Sequence, residues 1–259
     1  MHGLLAGSTN PPPPPPSAAA LLDTNQRFYD ALWSDSRLIE ADRFNTWPLM
    51  QELAAQAPRR LEVAPGLRLR LPIAGTQFVD RSPPAVTTLA QRRAAVARGC
   101  ITALPFGSAA FDLVCALDII EHVDDDERAL AELARVTAAG GVLVLSTPLH
   151  AARWTAFDAF VGHRRRYEPE PLLAQLARHR LRVERSAAFG MQPRSSLPLE
   201  WSMYYLTRHP ARAMWLYNRV IMPIALRLQD PLHLHAGMIP TAQVDEVLLV
   251  CRKDEPVSW

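Results

Sequence analysis

The stretch from Phe111 to Pro148 constrains the fold more than any other part of the chain. The run 111–117 is apolar almost throughout and too short for a helix, which is typical of a strand covered on both faces. The acidic triplet 124–126 then offers N-cap acceptors and negative charge where a helix begins. Apolar residues recur along this helix at steps of three and four, two glycines close it, and a second apolar run follows at 142–145. This order predicts one crossover of a doubly wound α/β fold.

Length and composition favour one α/β domain with additions over two equal domains. A chain of 259 residues with 49% hydrophobic residues is sufficient for a single core. The net charge is only +2, which is too small for the electrostatic footprint of a dedicated nucleic-acid binder. We therefore predict no nucleic-acid partner.

Cysteine usage and the absence of targeting signals predict a cytoplasmic protein. Cys100, Cys115 and Cys251 lack a metal-binding spacing, and two of them fall inside predicted buried strands. The N-terminus has neither the basic region nor the apolar core of a secretory signal. No apolar run reaches the length of a membrane span.

Composition shifts divide the chain into three parts. Residues 1–20 contain six consecutive prolines and predict a disordered leader or, alternatively, a segment read by a proline-binding domain. Residues 21–57 predict two helices that either cap the site or simply pack on the sheet. Residues 58–259 predict the main domain, with a helical insertion at 197–240. The apolar part of this insertion, 197–228, is a substrate lid, a homodimer face or a membrane-surface anchor.

Several short motifs occur in a fixed order between positions 104 and 141. They are LPF at 104–106, FD at 111–112, D..EHV at 118–123, EL.RV at 132–136 and GG at 140–141. As an ordered set they resemble the class I S-adenosylmethionine-dependent methyltransferases, and more narrowly the family that includes the ubiquinone and menaquinone C-methyltransferases. The resemblance covers roughly residues 59–190.

The resemblance implies a Rossmann-like sheet of seven strands whose last strand is antiparallel. It also implies S-adenosylmethionine as the cofactor and methyl transfer to an oxygen, nitrogen or carbon of a small, apolar or lipid-like molecule. The protein then mainly has to align donor and acceptor and exclude water, so a strong general base is optional.

The turn after the first strand departs from the family pattern. In the resembling enzymes an acidic residue leads into a G.G.G turn that lets the cofactor approach the backbone. Here Glu62, Ala64 and Gly66 occupy this turn, and only the middle glycine is kept. Nearby prolines leave no room for a full helix before the next strand. We therefore expect Arg68 or Arg70 to bind the cofactor's carboxylate through a guanidinium fork.

The other cofactor contacts that the resemblance implies follow the next strands. Asp80 ends the second strand, where a carboxylate accepts two hydrogen bonds from the ribose diol. Arg81 either covers the adenine or is a solvated surface residue. Cys100 stands where the family commonly has aspartate, which leaves the backbone of Cys100 and Ile101 to contact the adenine. Asp118 ends the fourth strand beside the cofactor.

Two histidines and a tyrosine are the candidate catalytic residues. His122 is either a general base or a hydrogen-bond partner at a helix end. In the resembling enzymes the GH.RRY element at 162–167 borders the substrate cleft, so His163 and Tyr167 contact substrate or transfer a proton, or else belong to a packed loop. His233 and His235 alternate like metal ligands but lack a third ligand in the sequence. We predict no metal site.

Two rival functions remain open. The chain is a non-catalytic binding or scaffold protein that keeps the sheet without a working cofactor turn, or a peripheral membrane methyltransferase for lipid-linked substrates.

Overall fold

The computed structural model describes residues 37–190 and 215–255. Strands and helices alternate along most of this range. The strands are β1 (Arg60–Val63), β2 (Thr76–Asp80), β3 (Ala95–Arg98), β4 (Phe111–Leu117), β5 (Thr137–Pro148), β6 (Leu181–Phe189), β7 (His235–Ala236) and β8 (Glu246–Lys253). The helices are α1 (Trp47–Ala55), α2 (Pro83–Gln91), α3 (Asp126–Val136), α4 (Ala156–Val161), α5 (Pro169–Arg178) and α6 (Met222–Arg227).

The eight strands of the described residues form one mixed sheet in the order β3-β2-β1-β4-β5-β8-β6-β7. Neighbours from β3 to β5 are parallel, whereas β8 is antiparallel to both β5 and β6. The predicted Rossmann-like α/β fold with an antiparallel last strand is confirmed. The additional strand is β7, a two-residue edge strand that pairs with β6.

The unit β4–α3–β5 forms as the sequence predicts. Asp125 is the N-cap of α3, and its side chain accepts the backbone N–H of Arg128 at 2.9 Å. β5 begins at Thr137, before the predicted start, because the chain passes directly from α3 into the sheet. The register with β4 then shifts, and Gly140 adopts a φ of 70° within this irregularity. The glycine is therefore needed where the left-handed turn was expected.

Helices cover both faces of the sheet. Successive strand residues point to opposite faces, so Val114 packs in the core beneath α3 and α5. Its neighbour Cys115 packs in a second core together with α1 and Leu71. Leu71 belongs to the connection between β1 and β2. This connection therefore covers part of the sheet face on which α1 packs.

The connections 64–75 and 99–110 contain no helix, although each joins parallel strands. In the first of them Leu67, Leu69 and Leu71 are all buried. Ile39 runs alongside, donating its N–H to the Leu67 carbonyl at 2.8 Å and accepting from Leu69 at 3.0 Å. Because alternate residues of an extended chain face the same side, the segment covers the sheet in place of a helix. The prediction that a full helix does not fit here agrees with this conformation.

The sequence predicts a helix over 84–97 after β2, leading to a short strand near Val96, but the helix is shorter than this. It ends at Gln91 rather than Ala97, because the chain turns at Arg93 with a φ of 61°. Residues 95–98 form the edge strand β3, which the sequence places near Val96.

Several predicted features lie outside the described residues, namely the proline-rich leader, the helix around Phe28 and residues 197–214 of the insertion. The described part of the insertion forms a π turn at Tyr217–Ile221 followed by α6. It exposes Trp215, Ile224 and Leu228. Within the described ranges, no helix is both long enough and apolar enough to cross a membrane.

Candidate functional site

The candidate site lies where the parallel strands β1, β2, β4 and β5 end. In open α/β sheets, ligands bind outside this carboxyl edge. Charged and polar side chains gather there, all of them buried except the exposed Asp118, and most come from strand ends and the turns that follow. They are Glu62, Asp80, Asp118, Glu121, His122 and Ser146.

The Asp80 carboxylate joins the turn after β1 to the end of β2. Its Oδ2 accepts the Gly66 N–H and its Oδ1 accepts the Ser82 N–H, both at 2.8 Å. Ala64 and Gly66 adopt φ values of 54° and 55°, so the turn curls back over the strand ends. Asp80 is 6% exposed, so these two hydrogen bonds fix a carboxylate that is largely shielded from water.

Glu62 fixes the start of the irregular connection. Its carboxylate oxygens accept the N–H groups of Arg70 at 2.8 Å and of Leu71 at 2.9 Å. Burial raises the pKa of Glu62 to about 7, outweighing these two hydrogen bonds, which lower it. Glu62 therefore holds the connection against the sheet through hydrogen bonds. Its own carboxyl group changes charge near neutral pH.

The pKa of Glu62 predicts pH-dependent stability. The folded-state pKa of about 7 lies above the ordinary value of 4.5, so the folded chain holds the proton more tightly. This contribution is complete below pH 4.5 and is lost as the pH rises through 7. We expect Glu62 to lower the unfolding free energy by at most about 3 kcal/mol between pH 4.5 and 8.

Urea unfolding of wild type and Glu62→Gln across this pH range measures the effect. The variant should show a flatter pH dependence, since glutamine does not titrate. Equal pH dependence in both proteins would contradict the raised pKa.

Arg70 lies inside the site. Its guanidinium carbon is 3.7 Å from the centre of the Phe44 ring and 5.7 Å from that of Phe189. Burial lowers its pKa, while the negative charges of Asp118 and Glu62 oppose this change. Such stacking between aromatic rings suits a planar guanidinium.

Arg68 lies elsewhere, since it lines a separate cavity together with Asp42 and Met222. The two arginines of this turn therefore occupy different surroundings.

The predicted adenine contacts lie near the ends of β2 and β3. Arg81 is exposed, Cys100 is half-buried and Ile101 is buried. The Cys100 thiol lies 3.2 Å from the Thr102 hydroxyl. The placement leaves Arg81 available to a ligand from the solvent side.

Asp118 and Glu246 form an acidic pair at the next strand ends, with Asp118 exposed and Glu246 half-buried. Asp118 has a φ of 50°, and its side chain accepts a hydrogen bond from the Ser146 hydroxyl. Burial raises the pKa of Glu246 well above its usual range, and the charge and hydrogen bond of Asp118 raise it further. Glu246 is the first residue of β8, which reaches the same edge because it runs antiparallel.

Two histidine rings meet beside this pair. The His122 and His163 ring centres are 4.7 Å apart, although the residues come from different connections. His163 places Nδ1 2.9 Å from Asp158 Oδ1 and Nε2 4.0 Å from Glu121 Oε1. Burial lowers the pKa of His122 to about 3, and the neighbouring His163 lowers it as well. His122 is therefore a neutral imidazole.

Asp158 is the buried anion that organises the GH.RRY element. It caps α4 in a reciprocal capping box with Thr155. The Arg166 guanidinium donates to both of its oxygens, each at 2.9 Å. Hydrogen bonds from His163, Arg166 and Thr155 hold the pKa of Asp158 well below its usual range despite burial.

Tyr167 joins this element to α3. Its hydroxyl donates to Asp126 Oδ2 at 2.8 Å, and the side chain is buried. Burial and the charge of Asp126 raise the pKa of Tyr167 well above its usual range. The phenol therefore stays protonated and occupied with a structural partner.

The structure brings together residues that the sequence predicts only separately, above all His122 with His163. Sequence reasoning missed Asp158 and Glu246. The Thr155-x-x-Asp158 spacing signals the capping box, but it does not reveal that Asp158 also binds His163 and Arg166. No sequence feature pointed to Glu246, because its position at the edge depends on how β8 inserts between β5 and β6.

Comparison with known proteins agrees with this architecture. Residues 68–145 match the family model described as a methyltransferase domain. A possible histamine N-methyltransferase of Thermotoga maritima has 16% identity and a TM-score of 0.52, with 90% of this chain and 100% of that chain covered. The chain has the fold of S-adenosylmethionine-dependent methyltransferases.

Other solved structures share this methyltransferase fold. A putative sarcosine dimethylglycine methyltransferase of Galdieria sulphuraria is 12% identical, with a TM-score of 0.54 over 91% of this chain and 98% of that one. The [4+2]-cyclase SpnF is 16% identical, with a TM-score of 0.53 over 94% and 98%. Because one of these neighbours is a cyclase, the methyltransferase fold alone does not define the reaction.

Proposed function

We propose that this protein is a methyltransferase that uses S-adenosylmethionine and acts on a small molecule. The observation that supports the proposal best is the Asp80 carboxylate at the end of β2, within the segment that matches the methyltransferase-domain model. Its two oxygens accept the Gly66 and Ser82 N–H groups, which hold the carboxylate at the end of the strand. A carboxylate held in this way can accept hydrogen bonds from the two hydroxyls of a ribose.

The residues present fit the cofactor, although the fit differs between its two ends. Asp80 would hold the ribose, with Arg81, Cys100 and Ile101 around the adenine. Glu62, Ala64 and Gly66 shape the turn that the amino-acid end would approach. When bound, S-adenosylmethionine supplies an electrophilic methyl group on sulfur.

Arg70 is our candidate for the cofactor's carboxylate. Its guanidinium lies between two aromatic rings and close to the charges of Asp118 and Glu62. Those carboxylates would in turn suit a ligand ammonium group. Arg68 remains the alternative because it follows the same turn, although it lines another cavity.

Matched substitutions separate the two arginines. A bidentate guanidinium contact contributes about 1.5–3 kcal/mol, so Arg70→Lys should weaken binding of S-adenosylhomocysteine by about 10- to 100-fold. Lysine keeps the charge but loses the fork. Arg68→Lys should change the affinity less than about threefold if Arg70 holds the carboxylate. Isothermal titration calorimetry gives both values, and the reverse ranking would assign the contact to Arg68.

The acceptor side of the proposed site is formed by His122 and His163, with Asp118 close by. Asp158 accepts the Nδ1 hydrogen of His163 and leaves the Nε2 lone pair directed into the site. We propose that His163 contacts the acceptor and takes a proton from it where the acceptor carries one. Tyr167 would act only by holding this element, because its hydroxyl is bound to Asp126.

An apolar or lipid-like acceptor is the finer part of the proposal. It is supported by the exposed apolar side chains of the described insertion, Trp215, Val220, Ile221, Ile224 and Leu228. The same side chains support the membrane-surface alternative.

Liposome flotation of the wild type and of an Ile224→Glu, Leu228→Glu double variant distinguishes a soluble enzyme from a membrane-surface enzyme. If the protein binds the membrane surface, the wild type floats with the liposomes and the double variant does not. If it is soluble, neither protein floats.

Calorimetry with S-adenosylhomocysteine tests the proposed function as a whole. Micromolar binding supports the methyltransferase, and incubation of metabolite extracts with methyl-labelled cofactor then identifies the acceptor. Absence of both heat and a thermal shift would favour the non-catalytic binding protein. That rival is motivated by the turn itself, where backbone donors already occupy both oxygens of Asp80.

A further inference from the structure

The side chains of Glu121, His122 and His163 bring three possible metal-ligand atoms close together. The proposed methyl transfer does not require such a cluster. One carboxylate oxygen and one ring nitrogen from each histidine all lie within 4.8 Å of one another. Glu121 and His122 form the single helical turn after β4, whereas His163 follows α4. The Arg164 N–H donates to the Glu121 carbonyl at 2.7 Å and fixes the two segments together.

Each histidine is oriented by a second partner. His163 Nδ1 lies 2.9 Å from Asp158 Oδ1, so its Nε2 is left for the cluster. The His122 ring makes a hydrogen bond to the backbone of Gly162. Metal-binding histidines typically donate their other ring N–H to a carboxylate or to a backbone carbonyl, which fixes the tautomer and the ring direction.

The Glu121 carboxylate provides an independent observation. Glu121 is fully buried, and its Oε1 has no hydrogen-bond partner among the described residues. Thr147 contacts the other oxygen at 3.4 Å. The separation of 4.0 Å between Oε1 and His163 Nε2 is too long for a direct hydrogen bond. A buried polar atom without a partner is costly, and a cation between these atoms would remove that cost.

The surrounding charges also favour a cation. Asp118 and Asp158 both act on Glu121 through their negative charges, and Asp118 and Glu121 act on Glu246. Arg166 is committed to Asp158. A divalent ion bound to the buried Glu121 would offset the negative charge of these neighbouring carboxyl groups.

We propose that Glu121, His122 and His163 bind a divalent transition-metal ion, with zinc as the ion that this donor set suits best. Two imidazole nitrogens and one carboxylate oxygen form a three-ligand set that leaves a coordination position open. Zinc bonds of about 2.0–2.2 Å put ligand atoms about 3.3 Å apart in a tetrahedron. In the structure the three ligand atoms lie within 4.8 Å of one another, so they would move closer together on binding the ion.

The open position would accept an oxygen atom of a substrate, a role that depends on the proposed function. With zinc bound, His163 Nε2 would be a ligand and could not take the proton. Zinc would instead lower the pKa of a hydroxyl bound at the open position, and that proton would pass to solvent. Metal binding itself depends only on the three side chains. It can therefore fail or succeed independently of methyl transfer.

Zinc titration of the chelator-treated full chain tests the proposal. By calorimetry we expect one zinc ion per chain in the wild type and at least tenfold weaker binding in Glu121→Gln and in His163→Gln. Cobalt should bind the wild type at the same site and give visible absorption that both variants lose. A double variant of the exposed pair, His233→Ala with His235→Ala, serves as the control and should bind zinc as tightly as the wild type.

Several results would overturn the proposal. They are no zinc binding by the wild type, equal binding by Glu121→Gln and His163→Gln, or loss of binding in the His233 and His235 control. Circular dichroism establishes that each variant is folded. Titration with S-adenosylhomocysteine is run on the same samples, so a failure of cofactor binding is distinguished from a failure of metal binding.

Discussion

Replacing Arg166 with alanine is expected to lower the unfolding free energy by about 3–5 kcal/mol, the range for removing one partner of a buried ion pair. The Arg166 side chain is 1% exposed and that of Asp158 is 0% exposed. The variant leaves the Asp158 anion buried with fewer donors, although Asp158 still accepts from His163 and Thr155. Such a loss is a large part of the stability of an ordinary domain.

The chain offers a matched control for this substitution. Arg178 also lies 2.9 Å from a carboxylate, that of Glu127, but the side chains are 59% and 48% exposed. Water screens such a pair, so Arg178→Ala should lower the unfolding free energy far less than Arg166→Ala does. Urea denaturation of both variants and wild type provides the measurement. Equal losses would show that burial of the Arg166 pair does not determine its contribution.

Replacing Asp80 with asparagine is expected to weaken binding of S-adenosylhomocysteine by about 100-fold or more. Two hydrogen bonds from the ribose to a charged acceptor contribute about 1.5–3 kcal/mol each. The amide also turns one NH2 toward a backbone donor, because Gly66 and Ser82 each donate to a different oxygen of Asp80. We therefore expect a concurrent stability loss of about 1–3 kcal/mol.

The matching control for Asp80 is Asp112→Asn. Asp112 pairs with Arg59 at 2.5 Å, and both side chains have substantial exposure. Its removal should leave the affinity for S-adenosylhomocysteine unchanged. If Asp80→Asn folds and binds S-adenosylhomocysteine like the wild type, Asp80 does not hold the ribose and the cofactor proposal loses its main support.

The parts of the fold that were predictable depend on local pattern. The run from Phe111 to Leu117, the acidic cap and the apolar stripe of α3 lie close together in the chain, and the structure follows them. The end of α2 was not predictable in the same way, because the turn at Arg93 carries no glycine or proline signal. The two prolines of the first connection excluded a helix, but not the extended path that buries Leu69.

The site was predictable where a residue ends a strand, as for Asp80 and Asp118. It was not predictable where residues meet through tertiary packing. His122 and His163 are distant in sequence, and only the folded path of the GH.RRY element brings their rings together. The commitment of Tyr167 to Asp126 likewise depends on the position of α3 beneath that element.

The missing helix after β1 also affects how this site can change by mutation. In a turn that opens a helix, ligand contacts come from main-chain amides, which no substitution except proline removes. In the site proposed here a side chain, that of Arg70, would supply the positive charge at this position. A single codon change at Arg70 would then be enough to alter which charged groups this end of the proposed site accepts, so its ligand preference could diverge quickly between descendants of the chain.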